Sequence, residues 1–317
     1  MIKTIILIII CLVTVCPFAS ADNRADAEAL KNSGNEKFHN GKIDDAIELF
    51  RKSIEADSTY AFAYNNLGIA LYEKEDYEGS VEQLEKAVAL DSTYSKAYNN
   101  LGNAYFAAGY YENARRSYEN SIELGSDSAQ NHINLGNALY ALRDFDSAVE
   151  SYKKAIELDK DAAEAYNNMG VVLQKKGDLD SARQNYLEAV RANSRYAMAY
   201  INLATTHYDS DSGDLTQAIR YYEQALKEDK DNVLALYNLG LAYHVKGDYS
   251  KAMSQLRKAS NLAPDDPDIH YIMGLTYMAQ KNYKTSMRSF EQALKLDPEH
   301  ENAQKALAMA EELGNKK

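Results

Sequence analysis

The chain has 317 residues, 45% of them hydrophobic and only four of them proline, which is enough to bury a core and excludes a disordered chain. Its net charge of −12, with no basic stripe to offset it, excludes nucleic acid as an expected partner and suits a long surface that must stay in solution. Cys11 and Cys16 are the only cysteines, so the chain beyond them is closed to disulfides, thiol catalysis and cysteine zinc sites.

The first predicted element is an export signal over residues 1–21. Lys3 supplies the charge, residues 5–15 the apolar run, and Ala19-Ser20-Ala21 a small-x-small cleavage site ahead of Asp22. The run is short for a transmembrane helix. Cleavage after Ala21 removes Lys3 and leaves 34 basic against 47 acidic residues, a net −13. The expected location is periplasmic or secreted, with membrane anchoring by an uncleaved signal as the alternative. Lipid on Cys16 is disfavoured by the bulk of Val15 before it. Residues 22–26 read as a short lead.

A small residue then recurs as Gly34, Gly68, Gly102, Gly136, Gly170, Ala204, Gly240 and Gly274. The step is 34 residues except for one of 36, which divides residues 27–300 into eight units: 27–60, 61–94, 95–128, 129–162, 163–196, 197–232, 233–266 and 267–300. Each unit predicts two amphipathic helices, A and B. In the second, Tyr64, Leu67, Gly68 and Leu71 share one face of helix A, and Ser80, Leu84, Ala87 and Val88 one face of helix B. Gly68 and the recurrent alanines at 46, 114, 148, 182, 218 and 252 let the two helices approach closely. One such pair cannot bury both faces, so neighbours must stack. Unit one carries Ser33 and Lys37 at core-type slots, so its helix A can face water. Residues 301–317 read as a capping helix and tail, with Leu307 and Ala308 packing and Lys305, Glu311 and Glu312 wet.

These residues resemble the tetratricopeptide repeat family. Tyr98, Leu101, Gly102, Tyr105, Ala114 and Tyr118 fit its consensus in the third unit, and Pro264 and Pro298 its closing proline. The resemblance covers residues 27–300 and implies an all-α, right-handed superhelical solenoid with A helices lining a concave groove. Ser58, Ser92, Ser126, Lys160, Ser194 and Lys230 stand where the family often has proline, which predicts looser turns.

Helical periodicity puts Lys96, Asn99, Asn103 and Phe106 opposite the core slots of the third unit's helix A, with Asn100 flanking. The residue two before each recurrent Gly or Ala forms a ladder: Asn32, Asn66, Asn100, Asn134, Asn168, Asn202 and Asn238, broken only by Ile272. A carboxamide both donates and accepts, so the ladder can pair with the backbone of an extended peptide, or it can tie neighbouring helices together. It resembles the asparagine ladder in the tetratricopeptide arm of O-linked N-acetylglucosamine transferases, whose catalytic domain has no counterpart here. Around it, units one to five offer Asn35, Asn65, Asn137, Asn167, Phe38, Tyr72 and Tyr140. Units seven and eight offer Leu234, Tyr237, Leu241, Tyr271, Ile272, Leu275 and Met278, an apolar strip that marks either an interaction site or a face covered by the terminal helix or a second copy. Lys31, Asn35, Asn66 and Lys96 resemble the carboxylate clamp by which some tetratricopeptide domains hold the C-termini of chaperone tails, with Asn100 where the clamp usually has a second cation.

Chemistry has little purchase on this pattern. No two of the six histidines are three or four apart, so no helix face offers paired metal ligands. His132, His207 and His270 fall in core-type slots and read as packed aromatics. The acidic insert at 209–214 has calcium-loop composition, but Gly213 comes one residue early and Arg220 replaces the bidentate Glu, so a solvated turn is expected. The reading is an exported protein–protein interaction adaptor that binds an extended partner segment in its groove, with no catalysis, cofactor, metal or small-molecule substrate. Membrane contact is expected only through an uncleaved signal or a partner. The alternative is an envelope scaffold that uses its convex surface and ends.

Overall fold

The computed structural model describes residues 21–208 and 214–315, and among these every regular element is an α-helix. The expected export signal, up to residue 20, and the body of the acidic insert lie outside the described residues. The chain divides into two compact units, Met1–Leu142 and Arg143–Lys317. The first contains α1 (Ala21–His39), α2 (Ile43–Ala56), α3 (Ala61–Glu73), α4 (Tyr77–Leu90), α5 (Ser95–Ala107), α6 (Tyr111–Glu123) and α7 (Ala129–Ala141). The second contains α8 (Phe145–Leu158), α9 (Ala163–Lys175), α10 (Leu179–Ala192), α11 (Ala197–Tyr208), α12 (Leu215–Glu228), α13 (Val233–Lys246), α14 (Tyr249–Leu262), α15 (Pro267–Ala279), α16 (Tyr283–Leu296) and α17 (Glu301–Asn315). The division falls inside the fourth repeat, between its A and B helices.

Within each unit every helix packs on the next in sequence, and α1 also packs on α3, α3 on α5, α5 on α7, α9 on α11, α13 on α15 and α15 on α17. The even-numbered B helices do not meet one another as closely. The A helices therefore line the inner side of each stack. Helical spacing decides what is buried. In α6, Ala114, Ser117, Tyr118 and Ser121 point inward, and in α5, Ala97, Leu101, Ala104 and Tyr105 do so.

The recurrent glycine is a contact device. A β-carbon on Gly102 would lie 2.5 Å from the Tyr118 ring, one on Gly68 2.5 Å from Leu84, and one on Gly170 2.6 Å from the Tyr186 ring. In each case the intruding side chain comes from the B helix of the same repeat and is almost completely buried. Burying one such large side chain contributes roughly 1.5–3 kcal/mol, and only a bare backbone lets it in. The alanines at 46, 114, 148, 182, 218 and 252 are all fully buried. Where the slot holds serine, the hydroxyl is satisfied: Ser80 donates to the Gly68 carbonyl and Ser286 to the Gly274 carbonyl, both at 2.8 Å.

Local chemistry fixes the helix ends. Asp76, Asp144, Asp178, Asp214, Asp248 and Asn282 cap the B helices, each accepting from a first-turn backbone N–H. Four of the six B-to-A turns that lack proline are held by a side chain. The residue ending the B helix carries a carboxylate or carboxamide that accepts from the N–H two residues on: Asp57 from Thr59 at 2.9 Å, Asp91 from Thr93 at 3.0 Å, Asp159 from Asp161 at 2.9 Å and Asn193 from Arg195 at 3.0 Å. The same bond, from the Glu299 N–H to Asp297 at 3.0 Å, also holds the turn that carries Pro298, so the lock works with or without proline.

Both ends depart from expectation in detail. Residues 22–26 are the first turn of α1, pinned by an Arg24–Asp57 ion pair and by the Arg24 guanidinium 4.6 Å from the Tyr60 ring centroid. In α17 the buried residues are Ala303, Ala306 and Ala310. Leu307 is half-buried and Ala308 exposed, because the packing stripe runs one residue to the side of the expected one. Among the described residues no helix is long and apolar enough to cross a membrane.

Candidate functional site

The asparagine ladder lies on the inner face and is largely spent on joining A helices. Asn66 Nδ2 donates to Asn35 Oδ1 at 2.7 Å, Asn100 Nδ2 to Asn65 Oδ1 at 2.8 Å, and Asn134 Nδ2 to Asn103 Oδ1 at 3.1 Å. In the second unit Asn202 Nδ2 donates to Asn167 Oδ1 at 2.9 Å. These four ladder residues thus reach back to an asparagine of the preceding A helix. Two accepting partners, Asn65 and Asn167, also donate to the ladder residue beside them, Asn66 at 3.0 Å and Asn168 at 3.1 Å. Of the two readings of the ladder, helix tying accounts for these bonds. A carboxamide has two N–H groups and two acceptor lone pairs, so capacity remains on the half-buried Asn66, Asn100, Asn134 and Asn202. Asn32 is exposed and Asn238 half-buried.

The four clamp residues occupy different surroundings. Asn35 and Asn66 are bonded to each other. The Lys31 ammonium sits 6.0 Å from the Tyr60 ring centroid. Lys96 lines a pocket of about 430 Å³ shared with Asn99, Asn100, Asp127, Ser128 and Asn131, and Lys31 is not part of its wall. The groove aromatics of the first unit, Phe38, Tyr72 and Phe106, are half-buried. Tyr72 meets Tyr77 and Phe106 meets Tyr111, with ring centroids 5.4 and 5.3 Å apart, so each packs on the first residue of its own B helix.

The apolar strip of the second unit is partly covered. Ile272 is 5% exposed and belongs to a core with Met253 and Leu256, because that core draws in the face expected to line the groove. Leu241 and Leu275 are half-buried against the same core. Leu275 and Met278 also pack where Phe290 meets Ala306 and Ala310 of α17, so the terminal helix covers part of the strip. Tyr237 and Tyr271 are half-buried, and burial, ahead of the nearby Asp268 and Asp266 carboxylates, pushes the Tyr237 hydroxyl up to about 12. Leu234 stands 48% exposed and is the most accessible of the set.

The histidines serve packing and local bonds. His132 Nε2 meets Asp127 at 2.7 Å, His207 packs on the Tyr221 ring at 5.5 Å, and His270 Nε2 meets the Pro264 carbonyl at 2.9 Å. Among the described residues no group of three or more His, Cys, Asp or Glu is placed to hold a metal ion.

The family model described as the cilia and flagella-associated protein 70 C-terminal domain matches residues 89–311. Models of the TPR repeat and the tetratricopeptide repeat match residues 34–74 and 61–94, the latter coinciding with the second repeat of this chain. The chain belongs to the tetratricopeptide repeat family. It is 44% identical to serine/threonine-protein phosphatase T of Schizosaccharomyces pombe over 52 residues, which is 16% of this chain and 11% of that one. A chain of the APC/C hetero-tetramer Cut9–Hcn1 superposes with a TM-score of 0.62 at 18% identity, covering 89% of this chain and 55% of that one. The Pseudomonas aeruginosa protein pilF gives 0.60 at 21% identity, covering 69% of this chain and 98% of that one. The chain thus spans 11% of the phosphatase and 55% of the Cut9–Hcn1 chain. At these identities the two structural likenesses are likenesses of the tetratricopeptide fold.

Two features of this tetratricopeptide face escaped the sequence. The partners of the ladder were legible only as extra asparagines, one before the ladder at 65 and 167 or three after it at 35 and 103. Nothing in spacing alone said which of the two each amide would choose. The pocket beside Lys96 depends on how the α6–α7 turn, Gly125 to Ser128, lies against α5, which no periodicity encodes.

Proposed function

We propose that this protein is an exported, non-catalytic adaptor that holds an extended segment of a partner protein against the inner face of its A helices. One observation carries the reading. In both units that face keeps partly accessible carboxamides with unspent bonding capacity beside half-buried aromatic and aliphatic side chains. A neutral peptide backbone matches the carboxamides, and apolar side chains match Leu234, Tyr237, Leu241, Tyr271 and Leu275. The export signal at residues 1–21 supports a periplasmic or secreted location. Intact-mass measurement of the exported chain should find Asp22 at the N-terminus; a chain beginning at Met1 or at a lipid-modified Cys16 contradicts export by this route.

Partner capture from envelope extract, followed by affinity measurement, tests the groove. Leu241→Ala with Leu275→Ala should weaken binding more than Asn134→Ala with Asn168→Ala. Burying one large side chain contributes roughly 1.5–3 kcal/mol, against about 1 kcal/mol for a net hydrogen bond. Both double variants also lose stability, since the leucines touch the core and the asparagines are hydrogen-bonded within the fold. Affinities are therefore compared well below each melting temperature. Full affinity in both folded variants contradicts groove binding.

The scaffold reading rests on a different observation. The last residue of several B helices is an exposed leucine: Leu90 at 43% in the first unit, and Leu158 at 48% and Leu262 at 47% in the second. These are the surfaces on which partner binding would survive the groove variants.

A further inference from the structure

The second residue of each A helix in the second unit lies six before the recurrent Gly or Ala, the slot that Lys96 fills opposite the core in the third repeat. In chain order these residues are Glu164, Met198, Leu234 and Asp268. Because α9 packs on α11, α13 on α15, and α12 on both α11 and α13, the four fall in one row: acid, apolar, apolar, acid. Met198 and Leu234 are 40% and 48% exposed. The Asp268 side chain is 65% exposed although His300 Nε2 meets it at 3.2 Å, so its carboxylate keeps acceptor capacity. Glu164 is half-buried beside the turn that leads to Met198, where burial first and then the Glu164 carboxylate push the Tyr196 hydroxyl up. The first unit fills the slot differently, with Glu28, Phe62, Lys96 and Gln130, and Phe62 there packs on Tyr94 with ring centroids 4.7 Å apart.

We propose that this row selects the segment the inner face binds: one that sets two apolar side chains between two basic ones, arginine or lysine. The apolar pair takes Met198 and Leu234 out of water, and a cation meets the carboxylate at each end of the row. A segment in the polyproline II conformation returns to one face every third residue, about 9 Å along its axis. Packed helices lie about 8–10 Å apart, so one such turn matches one step of the row. The pattern is therefore basic-x-x-apolar-x-x-apolar-x-x-basic. An acidic segment meets like charge at both ends, and a neutral polar one forgoes both ion pairs. The inference rests on the groove reading and names the chemistry of its segment.

The test titrates the full chain calorimetrically with acetyl-Arg-Ser-Pro-Leu-Ser-Pro-Leu-Ser-Pro-Arg-amide and with versions in which both arginines become glutamine or glutamate. The arginine peptide should bind about tenfold tighter than the glutamine peptide, about threefold for each exposed ion pair, with the glutamate peptide weakest. Added salt should narrow that ratio. Glu164→Gln with Asp268→Asn should erase it, and either change alone should remove about threefold. Glu55→Gln with Glu291→Gln, which takes the same charge from exposed positions on B helices, should leave it intact. Met198→Ser with Leu234→Ser should weaken the arginine and glutamine peptides alike, by about tenfold. Equal binding of those two peptides, a preference that survives Glu164→Gln with Asp268→Asn, or one that Glu55→Gln with Glu291→Gln also removes, overturns the proposal. Failure here with a native partner still lost from the Leu241 and Leu275 variant removes only the row. A native partner retained by both groove variants removes the groove reading itself.

Discussion

At the scale of single residues, the contact between Gly102 and Tyr118 decides how closely α5 and α6 approach. Gly102→Ala should destabilise the chain by about 1–2 kcal/mol: overpacking costs about 1–3 kcal/mol, and the better helix propensity of alanine offsets up to about 1 kcal/mol. Thermal melts check this, and an unchanged or raised melting temperature contradicts it. The ring has little room to retreat, being 2% exposed and donating to Asn103 at 2.9 Å. The glycine was legible from sequence because it recurs. Its partner was less so, since the slot holds Phe50, Leu84, Tyr118, Tyr186, Leu256 and Phe290 in turn, and only their common distance from the glycine gives it away.

At the scale of elements, the period read from the small residues placed the helices closely. Units starting at 61, 95, 129, 163, 197, 233 and 267 begin where α3, α5, α7, α9, α11, α13 and α15 begin. At four of the turns where absent proline suggested looseness, a bonding side chain sits one residue earlier. Asp57 is the strongest case. It is 2% exposed, and although burial pushes its carboxyl up, hydrogen bonds from Thr59 and the Arg24 guanidinium outweigh that and hold it below the usual range. Its stabilisation is therefore present above the ordinary carboxylate range and is lost as pH falls through the lowered value. Asp57→Ala at neutral pH should cost about 1–3 kcal/mol, the range for leaving buried partners unsatisfied. Asp91→Ala, which removes the same turn bonds at a more open site without the Arg24 ion pair, should cost less. Equal losses in denaturant melts would mean that the turn alone, and not burial with Arg24, sets the value.

At the scale of the whole molecule, the family and the helical order were legible because eight copies repeat one pattern. What each inner face does with its side chains was not. The asparagines allowed either a peptide-binding ladder or ties between A helices, and several are ties; the apolar strip allowed either an open site or a covered face, and part of it is claimed by the core and by α17. The choice between these readings comes from contacts between repeats, which a period within one repeat cannot reveal. They leave accessible groups on the inner faces, and the proposed function depends on those. Site-specific photocrosslinking tests it most directly. A crosslinking residue at Phe106 or Leu234, on the inner faces, is compared with one at Arg116 or Lys153, exposed on B helices. With envelope extract, partner adducts should form from Phe106 and Leu234 and not from Arg116 or Lys153. Adducts confined to the B-helix positions would contradict binding at the inner face.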